Sequence, residues 1–138
     1  MSRKQISIWL SCVLIAAAGG GVFFAAPIAA QVGSLAMLSN LTKGEWTVRF
    51  RSGAERKICV RSGSELIKLR HASANCSRYV VEDGPQSVTV QYTCRGNGYG
   101  RTNIRRETSS LVQIESQGIA SGSPFQLKAE ARRTGSCN

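Results

Sequence analysis

The stretch from Cys76 to Cys94 constrains the fold more than any other part of the chain. Two runs of β-forming residues, at 78–81 and 88–93, flank a cluster of turn residues at 83–86. This pattern is typical of a β-hairpin. If Glu82 lies opposite Val88, Cys76 lies directly opposite Cys94, at the roughly 4.5–5.5 Å spacing that a disulfide can bridge. The sequence therefore predicts a hairpin closed by its own cysteines.

The first strand of this hairpin fits the register less simply. The disulfide register places Arg78 beside Val80 on the cysteine face and sends Tyr79 and Val81 to the opposite face. Because successive strand residues alternate between faces, either a β-bulge or a half-buried opposite face would explain the pattern. The sequence leaves both explanations open.

The N-terminus has the features of a signal peptide. Arg3 and Lys4 supply positive charge, residues 6–18 form an apolar segment, and small residues continue to Ala30, after which we expect cleavage. The alternative is an uncleaved anchor, because this uncharged stretch exceeds the length of about 20 residues that a bilayer span needs. The sequence predicts a periplasmic or secreted protein, with membrane anchoring as the alternative.

Four cysteines remain if Cys12 leaves with the leader. Small exported domains use disulfides because their hydrophobic cores are thin. The hairpin takes Cys76 and Cys94, so Cys59 and Cys137 are expected to form the second pair, and each bridge contributes about 3–4 kcal/mol by loop closure. A zinc site is not expected, because the chain has no Cys-x-x-Cys pair and one histidine. We therefore predict two disulfides, no metal and no cofactor.

Alternation of apolar and polar residues predicts seven short strands. They lie at residues 45–50, 56–60, 78–81, 88–93, 101–107, 111–116 and 125–133. In the last of them, Phe125, Leu127, Ala129 and Ala131 are expected to face inward. Glycine-rich segments, at 95–100 and 118–124, are predicted to be connections.

The other segments complete the predicted organisation. Residues 64–70 have the pattern of a short helix, with Ser64 as its cap and Glu65 at its positive end. We predict a signal peptide at 1–30, a tether or a short helix around 35–38 within residues 31–43, and a single β domain at 44–138. The expected fold is mainly β: an antiparallel meander, open barrel or sandwich of about seven short strands with one short helix.

Several short motifs occur together along the predicted domain. They are Gly-x-Trp-x-Val at 44–48, Lys-Ile-Cys-Val at 57–60, Asn-Cys at 75–76, Tyr-Thr-Cys-Arg-Gly at 92–96 and Gly-Ser-Cys at 135–137. In their order and cysteine placement, residues 43–137 resemble the domain-of-unknown-function family 3617, small exported bacterial proteins. The resemblance implies a periplasmic, mostly β domain with paired cysteines. It implies no activity, so no functional residue carries over from it.

The charge of the chain favours an anionic partner. The formal net charge is +10, and loss of Arg3 and Lys4 with the leader leaves +8. Six outward-facing cations are expected to form a basic face if their strands adjoin: Arg49, Arg51, Arg101, Arg105, Lys128 and Arg132. Guanidinium groups suit phosphate or carboxylate, and Tyr79 and Tyr99 are candidates for stacking beside them. The first hypothesis is a non-catalytic, monomeric envelope module that binds anionic lipid headgroups or acidic glycans, and not nucleic acid, because the protein is exported.

Two other functions remain as alternatives. A small-ligand carrier would use the inner face of the sheet, with Trp46, Phe50, Tyr92 and Phe125 lining the site or forming ordinary core. A hydrolase ranks last, because catalysis needs convergent titratable groups and His71 is predicted to be a solvated loop residue in a polar segment. The sequence therefore predicts no catalytic residue and no enzymatic activity.

The predicted pairing makes thiol counting a direct test. The mature protein, purified without reductant and unfolded in denaturant, is expected to show no free thiol by reaction with a chromogenic disulfide, because all four remaining cysteines are bridged. Two or more free thiols would contradict the pairing of Cys59 with Cys137 or of Cys76 with Cys94.

Overall fold

A computed structural model describes residues 35–138, which form a single antiparallel sheet of seven strands. The strands are β1 (Gly44–Phe50), β2 (Glu55–Val60), β3 (Cys76–Asp83), β4 (Ser87–Cys94), β5 (Gly98–Thr108), β6 (Leu111–Ala120) and β7 (Ser123–Gly135). Their order across the sheet is β2-β1-β7-β6-β5-β4-β3, so β3 to β7 form a meander and the β1–β2 hairpin joins it beside β7. The prediction of a mainly β, antiparallel fold is confirmed. Of the predicted arrangements, the structure has the meander, within one open sheet.

The two faces of the sheet differ because apolar and polar residues alternate along the strands. In β7, Ala129 and Ala131 are buried, while Gln126 and Lys128 are exposed, as predicted. The inner face carries the fully buried side chains of every strand from β4 to β7 and of β1, including Trp46, which is 0% exposed. The face opposite is polar and faces solvent.

Residues 35–41 cover one part of the inner face. They include helix α1 (Ala36–Ser39) and contribute four buried apolar side chains: Leu35, Met37, Leu38 and Leu41. The indole Nε1 of Trp46 donates to the carbonyl of Thr42 at 2.9 Å and holds the segment on β1. The described part of the predicted tether therefore packs on the core, and the short helix around 35–38 is present in it.

A second segment, between β2 and β3, covers the rest of the inner face. The single helix predicted at 64–70 is instead two short 3₁₀ turns, Ser64–Leu66 and Leu69–His71, which bury Leu66, Ile67 and Leu69. The hydroxyl of Thr102 on β5 donates to the Ile67 carbonyl at 2.7 Å. Short 3₁₀ turns suit this segment because its apolar residues must all face the sheet within a few residues.

The carboxylate of Glu65, and not the predicted Ser64 cap, orders the first 3₁₀ turn. Ser64 makes no side-chain capping bond. Glu65 accepts from the backbone N–H of Arg61 at 3.1 Å and from the N–H and hydroxyl of Ser62 at 3.2 Å. Partial burial opposes ionisation of this carboxyl, but these hydrogen bonds together lower the pKa of Glu65 below its usual value.

Both predicted disulfides are present, one at each edge of the sheet. Cys59 of edge strand β2 pairs with Cys137, and Cys76 of edge strand β3 pairs with Cys94 of β4. A sheet edge presents unpaired backbone groups and separates easily, so covalent ties at these two places hold the least supported strands.

A β-bulge explains the awkward first strand of the β3–β4 hairpin. The predicted pair of Val80 with Val90 is present, but the register then shifts, so that Glu82 lies opposite Thr89 and not Val88. Val81 is the extra residue between the two registers. The prediction that Glu82 faces Val88 was wrong by one residue, and the bulge is one of the two explanations left open above.

Tight turns replace the predicted loops in the meander. β6 continues to Ala120 and β7 begins at Ser123, so only Ser121 and Gly122 connect them, with φ values of 50° and 79°. Two consecutive residues with positive φ give a hairpin turn whose twist matches that of the strands. The loop predicted at 118–124 is therefore mostly strand. Of the connection predicted at 95–100, residues 98–100 belong to β5, and Gly96 in the remaining turn has a φ of 77°.

His71 is buried under the sheet, contrary to the prediction of a solvated loop residue. It is 6% exposed, its Nε2 donates to the Asn97 carbonyl at 3.1 Å, and its Nδ1 accepts from the Tyr92 hydroxyl at 3.0 Å. The space for both rings exists because Gly100 lies opposite Tyr92 and has no side chain: a Cβ there would come within 2.4 Å of the Tyr92 ring. This packing could not be inferred from the polar residues that flank His71 in the sequence.

The buried pair of Tyr92 and His71 predicts a measurable cost of removing one hydroxyl. Tyr92→Phe leaves Nδ1 of His71 buried without a donor, so we expect the free energy of unfolding in urea to fall by about 1–3 kcal/mol. Tyr99→Phe is the matched control, since Tyr99 is 49% exposed and a change within about 0.5 kcal/mol is expected there. Equal effects of the two substitutions would contradict a buried hydrogen bond at Tyr92.

Glu65 predicts a specific loss of stability in acid. Because its pKa is lower in the folded than in the unfolded state, its contribution is present above the unfolded value of about 4.5 and is lost as the pH falls through the folded value. Glu65→Gln should therefore lower the free energy of unfolding by about 1 kcal/mol at pH 7. The difference from the unsubstituted protein should shrink towards zero as the pH falls through the lowered folded pKa of Glu65, and a difference that does not vary with pH would refute the assignment.

Candidate functional site

Most of the six cations predicted to form a basic face are paired with carboxylates on that same face. Salt bridges join Arg49 to Glu55, Arg105 to Glu107, Lys128 to Glu115 and Arg132 to Glu130, with N–O distances of 2.8, 2.9, 2.9 and 3.6 Å. The hydrogen bond and charge of Glu55 raise the pKa of Arg49. The strands β1 and β7 adjoin, while β6 separates β7 from β5, so the cations lie among acidic neighbours and do not form one continuous patch.

The other two predicted cations, Arg51 and Arg101, have different surroundings. Neither lies within 4.0 Å of a carboxylate in the described part of the chain. Arg101 is on the outer face of β5, with Tyr79 and Tyr99 on the same face and exposed by 66% and 49%. Arg51 directly follows β1 and lines a cleft at the end of the β1–β2 hairpin.

This cleft is a concave feature of the described residues with a volume of about 970 Å³. It lies between the end of the β1–β2 hairpin, the start of β7 and the second 3₁₀ turn. Its apolar lining residues are five: Phe50, Leu69, Pro124, Phe125 and Leu127. Its charged surface comes mainly from four cations: Arg51, Arg56, Arg70 and Lys128. Two of the charged lining residues are already paired outside the cleft: Glu55, its one carboxylate, with Arg49, and Lys128 with Glu115.

Arg56 is the most unusual residue of the cleft. It lies opposite Val48, which faces the core, so its side chain points to the inner face of the sheet. Its Nη2 donates to the Leu69 carbonyl at 2.8 Å, and the guanidinium lies 5.5 Å above the centre of the Phe50 ring. Its Nε is buried and has no hydrogen-bond partner, and no carboxylate of the described residues pairs with it. A half-buried cation without a counterion is costly unless an anion reaches it.

The aromatic residues predicted for an inner-face site divide into two groups. Trp46 and Tyr92 are core residues, exposed by 0% and 1%. Phe50 and Phe125 are partly exposed and line the cleft, and Phe125 also contacts the edge of the His71 ring. The inner face therefore offers a ligand two of the four predicted aromatic side chains, at the margin where the covering segments end.

Sequence reasoning missed Arg56 and Arg70, although one signal for Arg56 was available. In the strand 55–60, Arg56, Ile58 and Val60 share one face, and the other two are apolar. An arginine in register with core residues indicates either the end of the core or a charged site. Arg70 gave no such signal, because its position depends on how the second 3₁₀ turn packs.

No constellation for hydrolysis or metal binding is found around His71. Its two nitrogens are engaged by Tyr92 and Asn97, and within residues 35–138 no group of three or more His, Cys, Asp or Glu side chains lies together. The geometry of His71 is that of a residue that ties the second covering segment to the sheet. The cleft, by contrast, can bind a molecule that has both an anionic group and an apolar part, since it offers unpaired guanidinium groups beside exposed rings.

The helices and the disulfides of the described residues bear on the predicted localisation. The longest helix of the described residues has four residues, far fewer than a bilayer span requires. The two disulfides fit an oxidising compartment, while the predicted leader and its cleavage site lie outside the described residues.

No protein-family model matches the chain, and no curated protein or solved structure matches it either, so the resemblance to family 3617 stays a prediction.

Proposed function

We propose that this protein is an exported, non-catalytic binding domain whose cleft takes an anionic amphiphile: an acidic headgroup carrying an acyl chain. The observation that carries the proposal is Arg56, a half-buried guanidinium on the inner face with a buried, unpartnered Nε. Arg51 and Arg70 line the same cleft without carboxylate partners among the described residues.

Charge complementarity supports an anionic headgroup. A guanidinium has five N–H donors and no acceptor, and the one hydrogen bond found for Arg56 uses Nη2. A phosphate or carboxylate in the cleft would supply the missing countercharge and accept from the N–H groups of the guanidinium that remain free. Such charge-assisted bonds are each worth about 1.5–3 kcal/mol, more than a surface ion pair.

The apolar part of the cleft supports an attached chain. Phe50, Phe125 and Leu127 remain partly exposed although they belong to the inner face of the sheet. A ligand that carried only charge would leave these side chains in water. Covering apolar surface contributes about 25 cal/mol per Å², so a chain laid across the rings adds affinity that a simple anion lacks. The proposal therefore combines the anionic partner and the small-ligand carrier that the sequence suggested separately.

A matched pair of detergents tests the proposal by calorimetry. Protein purified from the periplasm should bind dodecyl phosphate, at concentrations below micelle formation, more tightly than dodecyl maltoside, because only the phosphate can pair with Arg56. In Arg56→Gln the affinity for dodecyl phosphate should fall about 10- to 100-fold, which corresponds to the loss of a charge-assisted pair. The affinity for dodecyl maltoside should change little.

Arg95→Gln is the control for loss of charge. Arg95 is an exposed arginine in the turn after β4 and does not line the cleft, so this substitution lowers the net charge equally and should leave binding unchanged. The stability of Arg56→Gln should remain within about 1 kcal/mol of the starting protein, because the substitution also removes a poorly satisfied charge. Equal binding of both detergents, or equal loss in both variants, would refute the proposal.

A further inference from the structure

A straight row of exposed side chains crosses five strands on the outer face of the sheet. The strand register places Tyr79 opposite Gln91, Gln91 opposite Arg101, Arg101 opposite Gln117, and Gln117 opposite Gln126. All five residues are exposed. Because neighbouring strands lie about 4.8 Å apart, this row, which we call the open row, is about 19 Å long.

The open row differs from the row beside it in its hydrogen bonds. In the adjacent row, the hydroxyl of Thr89 donates to Glu82 at 3.2 Å, the amide of Asn103 donates to Thr89 at 2.9 Å, and Lys128 donates to Glu115 at 2.9 Å. No side chain of the open row forms a hydrogen bond or salt bridge with another described residue. Its amides, guanidinium and phenol are therefore available to a ligand.

The surroundings of the open row are concave and partly apolar. Two depressions, of about 340 and 200 Å³, lie on either side of Arg101 and Gln117. On the side away from the hydrogen-bonded row lie Tyr99 and Ile119, which are opposite each other on β5 and β6. A ligand in the open row would thus meet polar groups along its length and an aromatic ring along one side.

We propose that the open row binds a linear polysaccharide that carries widely spaced carboxylates. A glutamine amide both donates and accepts hydrogen bonds, so a row of amides matches sugar hydroxyls, which do the same. The rings of Tyr79 and Tyr99 offer flat apolar surface with a polar tip, which suits the apolar face of a sugar. Arg101, the one charged member of the row, pairs with a carboxylate.

Other extended ligands fit the open row less well. A peptide that adds to a sheet binds along an edge strand through its backbone, whereas the open row runs across the strands. A nucleic acid has a phosphate at every nucleotide and is bound through many cations, and the open row has one. The row shares none of the cleft arginines, Arg51, Arg56 and Arg70, but its end residue Gln126 also lines the cleft, so the two sites meet at β7 and are separated by the variants below.

Affinity electrophoresis through gels that contain soluble polysaccharide tests this site. Three linear glycans serve as probes: hyaluronan, polygalacturonate and the neutral hydroxyethylcellulose. We expect the full mature protein to be retarded most by hyaluronan, whose carboxylates alternate with neutral sugars. In the double variant Gln91→Ala/Gln117→Ala the dissociation constant should rise at least tenfold, with an unchanged thermal midpoint, because neither side chain bonds to another residue of the described range 35–138.

Matched variants separate this site from general charge attraction and from the cleft. Gln86→Ala removes an exposed glutamine of the β3–β4 turn and should leave retardation unchanged, as should Arg56→Gln. Arg101→Gln should abolish the preference for hyaluronan over hydroxyethylcellulose. The site would be refuted if none of the three glycans retarded the protein, or if the double variant were retarded as strongly as Gln86→Ala.

Discussion

The structure depends on covering one apolar face of an open sheet with very little chain. A single sheet buries its inner side chains only if other segments lie on them, and here residues 35–41 and the segment between β2 and β3 do so. Neither segment has a long helix, so each is held by individual polar contacts. Trp46 bonds to Thr42, Thr102 bonds to the Ile67 carbonyl, and His71 links Tyr92 to Asn97.

The two disulfides answer the second weakness of an open sheet, its edges. The bridge from Cys59 to Cys137 holds β2 to the chain end beyond β7, and the bridge from Cys76 to Cys94 holds β3 to β4. By closing loops they also lower the entropy of the unfolded chain, by an amount equivalent to about 3–4 kcal/mol each. With these two disulfides, a thin core and short covering segments are sufficient to stabilise the fold.

The proposed binding sites lie where polar and charged groups have no partner among the described residues. The covering segments end before the β1–β2 hairpin does, so Phe50 and Phe125 remain partly exposed and Arg56 stands among them without a counterion in the described residues. On the outer face most of the predicted cations pair with a carboxylate of the same or a neighbouring strand, and Arg101 of the open row does not. Both sites arise from strand ends and strand register, and neither is encoded by a contiguous motif.

The sequence by itself determined the seven strands, most of their inward and outward residues and both disulfides, because these follow from local alternation and from cysteines placed opposite each other in one hairpin. It indicated the cations of the outer face but not which of them are paired, since pairs such as Lys128 with Glu115 depend on which strands adjoin. Only the tertiary structure decided that His71 is buried, that 35–41 belongs to the core and that Arg56 enters a cleft. Each of these outcomes depends on a contact between residues distant in the chain, such as Tyr92 with His71 or Arg56 with Leu69. Local sequence carries no record of such contacts.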